Sequence, residues 1–149
     1  MSNMKQFPYA ATLDVRDHCL CLAAQRAARV LARKFDVAFQ AVGLTNGQFS
    51  LMMSLNRPAP GLTIGAAASF LAMDRTTLTA ALKPLVKRGL VDMTEDPSDR
   101  RSRLLTLTEE GHAVLLKAYP IWEATHREID QKLGEPGGEA LRGGLQAVL

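Results

Sequence analysis

The sequence predicts a mainly α-helical domain with one small β-hairpin, and three observations support this fold class. Apolar residues recur every three or four positions in two long stretches, one towards each end of the chain. Between these stretches, two short helical segments are joined by the dipeptide Ala72-Met73. The pattern then changes to two short apolar or β-branched runs on either side of a charged segment near position 100.

The composition agrees with one ordinary globular domain. With 149 residues, 47% hydrophobic and 22% charged, the chain is neither collagen-like, disulfide-rich nor disordered. Its longest uncharged run, 37–56, is interrupted by many polar residues and does not fit a membrane span. We expect no secretory leader, because the sequence does not open with a basic and then apolar run, and Cys19 and Cys21 are too close in sequence for a disulfide that stabilises the fold. We therefore expect a cytoplasmic protein that does not contact a membrane.

The formal net charge of +3 is unevenly distributed. Residues 1–72 contain seven basic and three acidic side chains, residues 73–103 seven and five, and residues 104–149 four and seven. The middle segment has two basic clusters: Lys83, Lys87, Arg88, Arg100, Arg101 and Arg103. Such clusters could pair with phosphate, although a solvated surface gives the same pattern.

The first helix is predicted from Asp14 to Val42, ended by Gly43. Because it is longer than a small core can cover, part of its apolar stripe is expected to face another chain. A second helix begins at the N-cap Thr45 and ends before the Pro58-Ala59-Pro60-Gly61 segment.

Two short helices follow, with predicted N-caps Thr63 and Asp74, and the second ends before Gly89. Their tight connection is typical of a helix-turn-helix at 63–88. A helical projection places the apolar residues of the second helix on one side and a threonine- and lysine-rich face on the other: Thr76, Thr79, Ala80, Lys83 and Lys87. This face suits a helix that enters the major groove, but any amphipathic helix has a polar side.

The segment 91–107 is predicted as a two-stranded hairpin, with strands at 91–94 and 104–107 and a charged tip. A hairpin directly after a helix-turn-helix is the winged-helix arrangement. Thr108 then starts a helix to about Leu133, in which Pro120 should produce a kink, and a short helix from about Glu139 closes the chain.

The wing region contains the most specific motifs. Asp96-Pro97-Ser98-Asp99-Arg100-Arg101 is followed by Leu105-Thr106-Leu107-Thr108-Glu109-Glu110-Gly111. Supporting motifs are Gly43-Leu44-Thr45 with Gln48-Phe49, and Asp74-Arg75-Thr76-Thr77-Leu78-Thr79 before Lys87-Arg88-Gly89-Leu90-Val91. Together they resemble the MarR family of bacterial winged-helix transcriptional regulators over about nine tenths of the chain.

This resemblance implies a single MarR-like domain, 1–149, with dimerisation helices at 14–43 and 108–149 and a winged helix-turn-helix lobe at 45–107. It implies a homodimer that binds double-stranded DNA at a pseudo-palindromic operator, most simply as a bacterial repressor in a stress response. The implied DNA contacts fall on the recognition helix and the wing: Arg75, Thr76, Thr77, Thr79, Lys83, Lys87, Asp99, Arg100 and Arg101. Among these, Arg101 would enter the minor groove, with Asp99 pairing bidentately with its guanidinium.

Two residues depart from the family pattern. Ala72 replaces a glycine often found in the turn, which is acceptable if the turn does not require a positive φ. Pro84 lies inside the recognition helix, where proline costs about 3 kcal/mol in an unadapted helix. We therefore expect a bend or a loosened last turn there.

An effector site is also implied, as an apolar pocket for a small or phenolic ligand between the dimerisation helices and the lobe. Its candidate residues, which could equally belong to the core, are His18, Phe49, Met52, Met53 and Trp122. Cys21 is an alternative switch, because some members of the family sense peroxides with a cysteine on the first helix. A buried, inert thiol is the simpler interpretation of Cys21.

Other chemistry has little support in the sequence. His18, Cys19 and Cys21 lack the spacing of a metal site, and no phosphate-binding loop or nucleophile elbow suggests an enzyme or a cofactor. The remaining alternative is a winged-helix module that binds proteins, which requires neighbouring acids to neutralise the basic helix face.

Overall fold

The computed structural model describes residues 6 to 149, which form seven α-helices and one three-stranded antiparallel sheet. The helices are α1 (Tyr9–His18), α2 (Leu20–Phe39), α3 (Asn46–Ser54), α4 (Ile64–Phe70), α5 (Arg75–Lys87), α6 (Glu109–Leu133) and α7 (Gly137–Gln146). The strands are β1 (Leu62–Thr63), β2 (Val91–Asp96) and β3 (Asp99–Leu107), with β3 in the centre of the sheet. The predicted fold class, mainly α with a small β-wing, is confirmed.

The first predicted helix is interrupted, so the prediction of one continuous helix over 14–42 is wrong. Cys19 has extended backbone angles, φ −78° and ψ 107°, and separates α1 from α2. Its Sγ lies 3.4 Å from the Leu22 N–H and serves as the N-cap of α2. After Phe39 the chain continues as a 3-10 turn, Gln40–Val42, and Gly43 ends it in the left-handed conformation at φ 67°.

Four predicted helix starts have the expected side-chain caps. The hydroxyl of Thr45 accepts from the Gln48 N–H and the Gln48 amide oxygen accepts from the Thr45 N–H, which is a complete capping box. The side chains of Thr63, Asp74 and Thr108 each accept the N–H three residues further on. These bonds fix where α3, α4, α5 and α6 begin.

The turn between α4 and α5 differs from the expectation at Ala72. Its φ is 53°, which makes it the one non-glycine residue with positive φ within residues 6–149. The turn does require a left-handed residue, and alanine adopts it at a steric cost of about 1–2 kcal/mol. Neither proline ends its helix, because α5 continues through Pro84 to Lys87 and α6 continues through Pro120 to Leu133.

The wing is longer than predicted. β2 and β3 pair up to Asp96 and Asp99, so that only Pro97 and Ser98 form the turn. The short strand β1, which periodicity alone does not reveal, pairs Leu62 with Leu105 on the other edge of β3. The sheet thereby connects the start of α4 to the base of the wing.

The buried core lies almost entirely in the lobe formed by α3, α4, α5 and the sheet. Its fully buried large side chains are Phe39, Leu51, Met52, Leu55, Leu78, Leu82, Leu85, Val91 and Leu105. Leu78, Leu82 and Leu85 lie on the predicted inward side of α5, where Ala81 is only partly buried. In contrast, α1 buries no residue and α2 buries Phe39 alone. In the range 6–149, no helix is both long and apolar enough to cross a membrane.

Candidate nucleic-acid interface and adjoining cavity

The first turn of α5 is organised by Asp74. One carboxylate oxygen of Asp74 accepts the Thr77 N–H at 2.8 Å, and the other accepts the Thr77 hydroxyl at 2.8 Å. These bonds hold the pKa of Asp74 below its usual range, with the Thr77 backbone N–H as the main cause. The Thr77 hydroxyl, predicted to face the major groove, is therefore engaged in the cap.

The outward face of α5 matches the helical projection. A shallow depression of about 320 Å³ runs along it, lined by Arg75, Thr76, Thr79, Ala80 and Lys83. Lys87 is exposed in the last turn. Four of the predicted base- or phosphate-facing residues thus share one continuous surface, in which small side chains lie between the cations Arg75 and Lys83.

A second, polar cleft of about 340 Å³ separates the start of α4 and α5 from the wing. Arg75 enters it from α5, and Arg101 and Arg103 enter it from β3. In the sequence, Arg103 belongs to a basic cluster and has no other distinguishing feature. Its alternation with Arg101 along a strand is the signal that places both side chains on the same side of β3.

Gly65 determines the path of Arg75. A Cβ built on Gly65 would lie 2.7 Å from Nη2 of Arg75, so the guanidinium rests directly on the glycine. The residue has no feature in the sequence that connects it with Arg75. Only the close crossing of α4 and α5 reveals the contact.

The predicted pairing of Asp99 with the Arg101 guanidinium is wrong in this chain. Asp99 Oδ1 accepts the backbone N–H of Arg101 at 3.0 Å, and the ion pairs of residues 6–149 do not include these two side chains. A short carboxylate at the start of β3 reaches the N–H two residues on, as in an Asx turn. The side chain of Arg101 lines the cleft without an ion pair to Asp99.

The wing tip is fixed by Asp96. Its Oδ1 accepts both the N–H and the hydroxyl of Ser98, at 2.9 and 2.7 Å. The Ser98 N–H is the main reason that the pKa of Asp96 lies below its usual range. Arg100 is exposed next to this turn.

The cations of this surface form no ion pairs within residues 6–149, although the segment 73–103 also has five acidic side chains. The ion pairs recorded in the described part of the chain connect residues of α1, α2, α6 and α7, and none involves residues 73–103. Asp74, Asp96 and Asp99 are instead occupied by N–H donors. The cations of α5 and the wing are left available to an external anion.

A larger cavity of about 620 Å³ lies between α3, the end of α4 and α6. Of the five predicted effector residues, Phe49, Met53 and Trp122 line it. Met52 is fully buried in the core, and His18 lies on α1, where Nδ1 is 2.9 Å from Asp14 Oδ1, so neither lines this cavity.

Residues that the sequence did not single out complete the cavity. Phe70 and Tyr119 add aromatic surface, and the Tyr119 ring stacks on Trp122 with centroids 5.6 Å apart. Arg57 contributes the one cationic side chain of the lining, with its Nε bonded to the Ser54 carbonyl at 3.1 Å. The spacing of Tyr119 and Trp122 by three residues was the available signal for a shared helix face.

The thiol of Cys21 is exposed in the single chain, so the expectation of a buried thiol is wrong here. Its Sγ accepts a weak hydrogen bond from Gln25 Nε2 at 3.4 Å. Cys19 is half-buried and capped on α2 as described above. Within the described range, no group of three or more metal-ligating side chains converges.

Comparisons with known proteins agree with this geometry. The sequence model of the MarR family matches residues 44–102, which include α5 and most of the wing. The transcriptional activatory protein BadR of Rhodopseudomonas palustris is 34% identical over 105 residues, which cover 68% of this chain and 60% of BadR. The transcriptional regulator HosA of Escherichia coli O111:H- is 33% identical over 105 residues, covering 70% of this chain and 75% of HosA.

Among solved structures, the transcriptional regulator MosR of Mycobacterium tuberculosis in complex with DNA has a similar fold. Its TM-score is 0.79 at 31% sequence identity, and the alignment covers 88% of this chain and 93% of MosR. The similarity therefore extends beyond the lobe to the long helices.

Proposed function

Because the chain belongs to the MarR family of DNA-binding transcriptional regulators, which are not enzymes, we propose that it binds a pseudo-palindromic operator as a homodimer and represses transcription until a small apolar or phenolic ligand releases it. Its place of action is then the cytoplasm, where the operator DNA is accessible. The proposal extends the family assignment to this chain's assembly, its direction of regulation and its effector.

The convergence of unneutralised cations on α5 and β3 is the observation that carries the proposal. Arg75, Arg101 and Arg103 line one cleft, and no ion pair within residues 6–149 occupies them. A protein-interaction module would require neighbouring acids that neutralise this face, and although Asp99 lines the same cleft, it forms no ion pair with these arginines. Phosphate is the anion that best matches several guanidinium groups in a row.

Homodimer formation is supported by the apolar surface of the long helices. Val30 and Val37 on α2 are 57% and 67% exposed, and Leu116 on α6 is 77% exposed. An apolar groove of about 570 Å³ between α2, α6 and α7 includes Val30, Leu31 and Leu141. A second copy of the same helices would bury this surface.

DNA binding is tested with a footprint on the DNA that flanks the chain's own gene, followed by titrations at several salt concentrations. We expect a protected two-fold-related site and a steep fall of log affinity with log salt, about 0.9 per phosphate contact. Binding that does not change with salt would contradict the phosphate contacts. A protected site that overlaps the promoter supports repression, whereas a site upstream of it supports activation, as the name of BadR would suggest.

The effector proposal rests on the aromatic cavity next to the lobe. Phe49, Phe70, Tyr119 and Trp122 offer flat apolar surface, and Arg57 could orient an anionic or hydroxyl group at one side. Because α6 forms one wall while α3 and α4 form the others, an occupant would change how the lobe sits on the long helix. Such a change would alter the separation of the two recognition helices.

Trp122 is the single tryptophan of the chain and reports directly on the cavity. Titration with benzoate and with phenol is expected to change its fluorescence. Benzoate should bind more tightly than phenol, and Arg57→Gln should remove this difference in affinity. Met53→Ser should weaken both responses, because Met53 lines the cavity. Met93→Ser is the matched control, since both methionines are 37% exposed and Met93 lies on the wing. Equal effects of the two methionine changes would contradict the cavity as the binding site.

A thiol switch is the second candidate, favoured by the exposed thiol of Cys21 in the single chain, where it accepts a hydrogen bond from Gln25 Nε2. Peroxide would then release the wild-type protein from DNA but not the Cys21→Ser variant. Unchanged release of that variant would eliminate Cys21 as the sensor. If oxidation of Cys19, which caps α2, were the switch, peroxide would release the wild-type protein from DNA but not the Cys19→Ser variant.

A further inference from the structure

Hydrogen bonds join the C-terminal end of α5 to the segment that follows α2 and to the first residue before α6. Nη1 of Arg88 donates to the Gly43 carbonyl, at the end of the 3-10 turn that follows α2, over 2.7 Å. On the other side, the Thr108 hydroxyl donates to the Gly89 carbonyl at 2.6 Å, and the Thr108 N–H donates to the Leu90 carbonyl at 3.2 Å. Because Thr108 is the N-cap of α6, the end of α5 lies between the last turn after α2 and the first turn of α6.

The Arg88 contact joins residues 45 positions apart in sequence. Gly43 has a φ of 67°, and a Cβ built there would lie 3.2 Å from Nη2 of Arg88, so the guanidinium also packs against this turn. The carbonyls at a helix end lack intrahelical partners and have a partial negative charge, which a guanidinium satisfies. Arg88 is exposed like its neighbour Lys87, but its guanidinium is bonded to the Gly43 carbonyl.

We propose that Arg88 is a positioning residue that sets the tilt of α5 relative to α2, and so determines which half-site spacing the protein prefers. The inference rests on the homodimer proposed above, since a spacing exists only for two linked lobes. Arg88 acts on DNA through the orientation of α5, whereas Lys87 acts on it by direct contact with phosphate.

The length of α5 makes this end an effective control point. Its 13 residues span roughly 20 Å at 1.5 Å per residue. A tilt of about 5° at the C-terminal end therefore moves the first turn, which reads the bases, by roughly 1.7 Å. That is about half of the rise of one base pair along the duplex.

The test uses a duplex selected by the wild-type protein from a random-sequence pool, together with two derivatives that have one central base pair added or removed. Affinities of the wild type, Arg88→Met, Arg88→Lys and Lys87→Met are measured for all three duplexes at several salt concentrations. Arg88→Met and Lys87→Met remove the same charge from adjacent positions, so they form a matched pair. Circular dichroism and thermal melts establish that each variant is folded.

We expect Arg88→Met to reduce the wild-type spacing preference by about two- to tenfold, the range that one lost hydrogen bond produces, without changing the salt slope. Arg88→Lys, which still offers an N–H donor, should restore most of the preference. Lys87→Met should weaken binding to the three duplexes equally and reduce the salt slope by about 0.9.

The inference is overturned if Arg88→Met behaves as Lys87→Met does, or if it keeps the full spacing preference. If Arg88→Met does not fold, Arg88→Gln replaces it, and a salt slope reduced by about 0.9 would again assign Arg88 to phosphate contact. A wild-type protein that binds all three duplexes equally would contradict the two-lobe homodimer itself. The failure of that proposal is thereby distinguished from the failure of the Arg88 inference.

Discussion

Replacing Gly65 by alanine is expected to raise the stability of the fold while it lowers the affinity of the protein for DNA. The new Cβ would lie 2.7 Å from Nη2 and 3.5 Å from Cζ of Arg75. Ordinary contact begins near 3.4 Å, so the guanidinium must retreat by about 0.7 Å. Because the displaced group is the end of a flexible side chain, the helices themselves need not move.

The two expected effects of Gly65→Ala have opposite signs. Alanine is favoured over glycine in a helix, which should stabilise the fold by about 0.5–1 kcal/mol. A guanidinium moved out of place loses a charge-assisted hydrogen bond to phosphate, worth about 1.5–3 kcal/mol. Since the arginine retains some freedom to adapt, we expect the lower end of that range, about a tenfold weaker complex.

The assay is a double-mutant cycle read by fluorescence anisotropy of a labelled operator duplex. It compares the wild type, Gly65→Ala, Arg75→Ala and the double variant, with thermal melts of the same samples. If the methyl group acts through Arg75, Gly65→Ala will have no further effect on affinity in the Arg75→Ala background.

Two results would refute this reasoning. Equal losses of affinity from Gly65→Ala in both backgrounds would mean that the glycine acts on DNA binding independently of Arg75. A melting temperature below that of the wild type would mean that α4 cannot accept the methyl group, and that the close crossing of α4 and α5 is more rigid than the contact implies.

Ala72→Gly is expected to stabilise the fold by about 0.5–1 kcal/mol, because relief of the steric strain of alanine at φ 53° exceeds the cost of glycine's greater chain entropy in the unfolded state. Ala113→Gly, on the exposed side of α6, should instead destabilise it by about 1 kcal/mol, so equal losses in denaturant titrations would contradict the strain. Arg101→Ala should weaken operator binding about tenfold in a gel-shift titration without changing sedimentation, whereas Arg127→Ala on α6 should leave affinity unchanged. An Arg101→Ala variant with wild-type affinity would remove this residue from the interface. Asp74 has a lowered folded-state pKa, so its stabilising effect is complete above the unfolded value of about 3.9 and is lost as the pH falls through the folded value. Melts from pH 7 to pH 3 should therefore show the advantage over Asp74→Asn shrinking on acidification, and parallel curves would exclude this linkage.

Local sequence rules predicted the helix starts and the recognition helix. Thr45, Thr63, Asp74 and Thr108 stand where a short polar side chain precedes an apolar period, and each makes the capping bond. Such bonds span three residues, so nothing distant in the chain alters them. The face of α5 could be predicted for the same reason, since a helix of 13 residues keeps its phase through Pro84.

Other features depend on contacts that a linear pattern does not contain. The thiol of Cys19 caps the start of α2, although cysteine is not among the usual N-cap residues, and the apolar period continues across the break between α1 and α2. Ala72 is the left-handed residue of a Schellman motif that ends α4, in which the Met73 N–H donates to the Ala68 carbonyl, and the sequence has alanine where glycine is the usual signal. Tyr119 and Phe70 meet at the cavity only because α6 packs beside the end of α4.

The near absence of buried residues on α1 and α2 has a consequence for the lifetime of the chain in the cell. A newly synthesised subunit presents its apolar stripes to water, and such surface is what proteases and chaperones recognise. In the proposed homodimer, pairing with a second copy would hide the stripes, so the paired form would be the one that persists. Because pairing depends on the square of the subunit concentration, the amount of lasting regulator should rise more steeply than the rate of its synthesis.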